Sequence, residues 1–211
     1  MFAHRSHCAF KRHAYYCQLT SVLTHTLFDL GMMWFVGIRL RGWMFSLGCR
    51  GLLPTATQWF LNPSHAATFA ILLSITLQSS LFALLHAHSP GSTRISLLNL
   101  FIGGIAASWN VMATGGSIWL GIGWHFGWNI MMGHILGRST SGVPMSCALI
   151  SVLPRPSSSY VIYHGGMFGP EQGILAPMAY VLGMGMVFWV YGWGDFDRWR
   201  ERLLMDMTNS Q

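Results

Sequence analysis

His125 and Asn129 stand one helical turn apart in the stretch GSIWLGIGWHFGWNIMMG, residues 116–133. The rest of that stretch is apolar enough to lie in a bilayer. An i,i+4 pair shares one face of a helix. Inside lipid such polar groups turn toward protein or water, and by default they mark a functional site. A second histidine, His86, closes an earlier apolar run, ILLSITLQSSLFALLH, with Phe82 one turn before it. Two imidazoles and an amide can orient a water, stabilise an oxyanion or bind a divalent metal such as zinc, with His86 and His125 as its ligands. The chain contains no HExxH stretch, so the common zincin pattern is absent. The residues alone leave three readings open: a structural hydrogen-bonded pair, a catalytic or metal site, and a transport or haem site.

Depth decides whether the three residues can meet. If the run ending at His86 exits on one side of the membrane, the next run crosses away and residues 117–136 return. Asn129 then lies about 10 Å from the exit side, at 1.5 Å per residue, and His86 lies near that surface. His134 is closer to His86 in depth. Nine α-helical residues past His125, however, it falls about 180° round the helix and is the poorer partner.

Composition supports a membrane setting for these elements. Only 9% of the 211 residues are charged, where a soluble domain carries about 25%. Gly and Trp are plentiful, as in membrane helices and their interfaces. The expected fold is all-α, a polytopic transmembrane bundle of about six segments. The formal charge is +6, but the basic residues flank apolar runs. They fit anionic lipid and topology setting, and nucleic acid is not an expected partner. Cys8, Cys17, Cys49 and Cys147 form no close pair, so neither a disulfide framework nor a zinc ribbon follows.

Taken in order, residues 1–18 read as a basic N-terminal tail and residues 19–194 as one membrane domain. Residues 195–211 read as a C-terminal cytoplasmic amphipathic tail. Residues 19–38 form the first apolar run, with Asp29 near its middle. Residues 42–61 form a weaker one, interrupted by Arg50 and Pro54. Membrane-length helices are expected at about 66–88, 94–113, 116–136 and 173–194. Residues 137–169 read as a long loop rich in Ser, Pro and Gly. Arg198, Arg200 and Arg202 follow the last run, and the N-terminus is basic. Both termini are therefore expected on the cytoplasmic side, which requires an even number of spans.

Residues 50–190 resemble the CPBP family of intramembrane proteases, also called the CAAX-protease and bacteriocin-processing (Abi) family. The resemblance is carried by SSLFALLH, with Phe82 and His86 in a Phe-x-x-x-His motif. It continues through PGSTRISLLNLFIGGI and GSIWLGIGWHFGWN, with His125 and Asn129 in a His-x-x-x-Asn motif. The segment FGPEQG, residues 168–173, is similar to a further recurring stretch of that family. The resemblance implies a helical membrane bundle that hydrolyses a peptide bond of a membrane-associated or prenylated substrate. It implies that a glutamate activates water, that His86 and His125 position that water or a metal, and that Asn129 holds the oxyanion. Membrane lipids and a peptide or prenylated protein are the implied partners.

The chain departs from the family at the first motif, Glu-Glu-x-x-x-Arg. Arg50 matches its end, with Gly51 following, but Phe45 and Ser46 stand where the two glutamates belong. Asp29 and Glu171 are the substitutes to consider. Two functional readings follow from the resemblance: an intramembrane endopeptidase, or a catalytically impaired pseudoprotease of the same fold that binds peptide or lipid.

Overall fold

The computed structural model describes residues 63–144, 148–152 and 160–193, together with residues 197, 198, 201 and 205. The expected tail 1–18, the apolar runs 19–38 and 42–61, and most of the tail 195–211 lie outside the described residues. So do Asp29, Phe45, Ser46 and Arg50.

The described chain is helical. Helix α1 spans Pro63–Leu85 and α2 spans Arg94–Ala113. Helix α3 spans Trp119–Asn129 and runs straight into a π-helical segment, Ile130–Ile135. A single turn, α4 (Val161–His164), and a short 3-10 turn, Pro170–Gln172, lead into α5, Leu175–Tyr191. Among the described residues there is one isolated bridge, Thr140 with Val143, and no strand. The four apolar runs expected from about residue 66 onward are therefore helices within a few residues of the expected bounds. α2 starts sharply because Thr93 and Ser96 form a reciprocal capping box, each side chain bonding the other's backbone N–H.

Short connections make α1, α2 and α3 successive antiparallel neighbours. α5 instead runs parallel to α2. Asn99 at the start of α2 bonds the carbonyls of Glu171 and Gly173, just before α5. Further along, Gly103 faces the ring of Tyr180. Near the end of α2, the Trp109 indole donates to the Met184 carbonyl at 3.2 Å. The partners rise together in number, so the two helices point the same way. α2 is the middle of the described bundle, against α1 on one side and α5 and α3 on the other.

Close helix approach rests on small residues, as is usual in membrane bundles. A Cβ on Gly104 would lie 2.8 Å from the Ser79 Cα, so α1 and α2 touch only because that position is glycine. Beside it the Ser108 hydroxyl bonds the Gln78 side-chain oxygen across the same interface. Two apolar clusters fill the interior. Ala83, Leu100 and Phe168 form one, with Phe82 and Phe101 packed against it. Ala106, Ala176 and Tyr180 form the other, with Trp124 and Trp128 against it.

The outer surface is also apolar. Leu72, Leu84, Leu182, Met186 and Trp189 are all exposed. A helix that is hydrophobic on its outward face as well as its inward one suits lipid rather than water. Among the described residues α2 is the one helix long and apolar enough to cross a membrane alone. The apolar parts of α1, Ile71–Leu85, and of α5 are shorter. The expected count of six spans depends on two runs outside the described residues and is not established by the helices seen.

Candidate functional site

α1 ends at Leu85, and His86 begins the turn that follows. Its Nδ1 lies 2.8 Å from the Phe82 carbonyl oxygen. A carbonyl only accepts, so Nδ1 carries the proton and donates it, which in the neutral tautomer puts the lone pair on Nε2. The Phe82 ring lies against His86 with ring centres 5.0 Å apart, and it meets His125 edge-on at 5.9 Å. One phenyl ring thus stands between the two imidazoles. On α3 the His125 Nε2 and the Asn129 amide nitrogen are 3.2 Å apart. Asn129 is buried. The structure therefore brings His86, Phe82, His125 and Asn129 together at the same level of the bundle.

His134 is not joined to them. Its Nε2 is buried without a hydrogen-bond partner. The angular argument that set it aside needs amending, because α-helical phase stops at Asn129. From Ile130 the chain winds as a π-helix, with i→i+5 bonds and a wider turn. His134 is separated from the pair by that change of winding and not by a simple half-turn.

Among the described residues, His86 and His125 supply two nitrogens, and no group of three His, Cys, Asp or Glu side chains comes together that could hold an ion. The His125 Nε2 is also engaged by Asn129.

Glu171 occupies a place the sequence alone did not reveal. It sits in the 3-10 turn before α5, only 3% exposed. Its Oε1 accepts from the Trp128 indole N–H at 3.1 Å. Its Oε2 accepts from both the backbone N–H and the hydroxyl of Ser141, each at 2.7 Å. Ser141 has φ 49, a left-handed conformation uncommon for a residue with a side chain. Its two hydrogen bonds to the carboxylate hold it in that conformation. Glu171 is thus a buried carboxylate held by three donors from two residues. The other described acids, Asp197 and Glu201, are exposed.

The sequence signal that could have found this arrangement is in the same six residues as the site. WHFGWN carries two i,i+4 pairs, Trp124 with Trp128 and His125 with Asn129, offset by one residue. The tryptophans face α5. Trp128 packs on Tyr180 with ring centres 5.2 Å apart. Trp124 lies directly over Gly183, which leaves no room for any side chain there.

Residues 27–131 match the model of the type II CAAX prenyl endopeptidase Rce1-like family. The chain belongs to this family. No curated protein and no solved structure matches it. The matched residues include Phe82, His86, His125 and Asn129, together with Arg50, Phe45 and Ser46. They end two positions after Asn129. Glu171 and the rest of FGPEQG therefore lie beyond the family match, although Glu171 bonds a residue inside it.

Proposed function

We propose that this Rce1-like chain is a catalytically impaired peptidase. It engages the peptide of a membrane-associated or prenylated protein at His86, His125 and Asn129 but hydrolyses it poorly. The observation that carries the reading is the state of Glu171. It is the one buried carboxylate among the described residues, and it accepts from Trp128 and twice from Ser141, so it is tied into the packing around the site. At the positions where the resemblance calls for the water-activating glutamates, the chain has Phe45 and Ser46.

The remaining groups have a defined chemistry. The Asn129 amide is an N–H donor for a peptide carbonyl or for the oxyanion formed from it. Next to it, the His125 ring holds that amide in place. The His86 Nε2 lone pair can accept a water hydrogen, and the Phe82 carbonyl on Nδ1 fixes its direction. The phenyl ring between the imidazoles is an apolar floor that suits an aliphatic or prenyl group. Such a site binds and polarises a carbonyl. Without a carboxylate base, hydrolysis slows by about 100- to 10,000-fold.

The test is cleavage and binding of a prenylated CAAX peptide by the full chain in detergent. The expected result is binding with slow cleavage, abolished in both respects by His125→Ala. Adding glutamates by Phe45→Glu with Ser46→Glu is expected to raise the rate by about 100-fold. Fast cleavage by the unmodified chain that vanishes in His125→Ala would mean another group, Asp29 or Glu171, supplies the base. Absence of peptide binding would sink the reading altogether.

A further inference from the structure

α3 presents two stripes of side chains about 100° apart. Trp124 and Trp128 form the first, and His125 and Asn129 the second. The stripes are rigidly linked, because both are borne by one helix. Whatever fixes the first in rotation aims the second. Trp124 over Gly183 fixes position along α5 by close packing, but an indole sliding on a flat glycine face does little to resist rotation. The directional contact is the Trp128 N–H bond to Glu171 at 3.1 Å. Glu171 cannot follow a rotating helix. Its own backbone carbonyl is held by Asn99 of α2 at 2.9 Å, and its second oxygen is held twice by Ser141.

We propose that Glu171 is a positioning residue for the site. Through Trp128 it sets the rotation of α3 and so aims His125 and Asn129. The leverage is large. Side-chain tips lie about 5–6 Å from a helix axis, so a turn of about 20° moves them by about 2 Å. Misplacement by about 1 Å can cost a reaction about 100-fold. The latch also lies directly before Asn129, where the backbone changes from α to π winding. π segments within α-helices are frequent at functional sites, and the hold on Trp128 sits beside this one. The assignment gives a buried carboxylate outside the family match a task inside it, without asking it to touch substrate.

The value of the latch for turnover rests on the proposed reading of His125 and Asn129, but its geometry is tested independently of substrate. Trp128→Phe keeps the ring against Tyr180 and removes only the donor. In Glu171→Gln the amide can still accept from Trp128 but turns an NH2 toward the two Ser141 donors. Each full-chain variant is purified in detergent, its fold is checked by circular dichroism and melting, and its histidine ring nitrogens are observed by NMR. The His125 signal is identified by its loss in His125→Ala. The expected result is a displaced His125 signal in both folded variants and an unmoved His86 signal, because the Phe82 carbonyl holds that ring within α1. A merely structural role would lower the melting temperature and move both signals or neither. An unmoved His125 signal in either folded variant overturns the proposal. With prenylated CAAX peptide, the residual kcat is expected to fall about 10- to 100-fold with KM little changed. If the unmodified chain binds no peptide, the functional reading fails while the His125 signal still decides the positioning role.

Discussion

At the scale of the residue, hydrogen-bond bookkeeping separates the groups that can act from those that are spoken for. Asn129 is buried with its amide on His125, and a buried amide needs its partner. Asn129→Ala is expected to abolish peptide binding at the site and to cost about 0.5–1.5 kcal/mol of stability through the lost hydrogen bond. Melting of the purified variant together with a peptide titration checks both. Asn129→Asp is the sharper variant. It keeps the shape but replaces the N–H donor with an acceptor, so the amide's role predicts loss of binding even in variant protein that still melts cooperatively, at a stability cost of its own from the buried carboxylate. Undiminished binding by the Asp variant would show that the amide does not meet the carbonyl. Arg138 is a different kind of buried group. Its guanidinium donates to the Val152 and His164 carbonyls at 3.4 and 3.0 Å, and desolvation pushes its pKa below the ordinary value. It ties the chain after α3 to the turn α4, which is a loop-holding task and not part of the site.

At the scale of the element, small residues decide where helices touch. Gly183 admits Trp124, and Gly104 admits Ser79. Overpacking either interface costs about 1–3 kcal/mol in soluble cores. Gly183→Val is expected to push α3 from α5 and so to disturb the site as well as the fold. Gly104→Val should loosen α1 from α2 and leave the Trp128–Glu171 bond intact. Comparing the two by melting and by peptide binding tests that division. Equal loss of binding at equal loss of stability would argue that α3 has no special hold. At the start of α2, Thr93→Ala removes one arm of the capping box and is expected to cost about 1 kcal/mol, read as a lower melting temperature with binding retained.

At the scale of the whole molecule, the chain is a helical member of a membrane-embedded family, with an apolar outer surface. It is expected to stay with the membrane through an alkaline carbonate wash, since its exposed side chains include Leu84, Leu182, Met186 and Trp189. Multi-pass topology with both termini in the cytoplasm is the arrangement that the flanking arginines favour. Reporter fusions at each end check it. A reporter at either end that is active only on the outer side would require an odd number of spans, or the reverse orientation. An aromatic cluster with two tryptophans at one end of the bundle agrees with an interface there. Trp109, Phe188 and Trp193 meet in tilted and edge-on contacts where α2 and α5 finish, and tryptophans are enriched at the headgroup level.

The sequence by itself determined the helical class, the four apolar helices from residue 63 onward, and the pairing of His125 with Asn129. These are local properties. Length and apolar content set a membrane helix, and a spacing of four sets a shared face. The family was legible for a related reason, since Phe82, His86, His125 and Asn129 stand in short motifs whose order survives in the linear chain. Only the tertiary structure placed Phe82 between the two imidazoles, because that meeting joins α1 to α3 across a turn of direction. It also decided the fate of Glu171. A lone acid in a glycine-rich turn carries no periodic signal. Its three donors come from residues 128 and 141, each at least 30 positions away in the chain. The parallel course of α5 beside α2 was hidden likewise, because the long connection between α3 and α5 leaves the direction open. The π winding after Asn129 belongs to the same class. Nothing in IMMGHI demands an extra residue in the turn, and intrinsic propensity leaves such a choice to the packing around it.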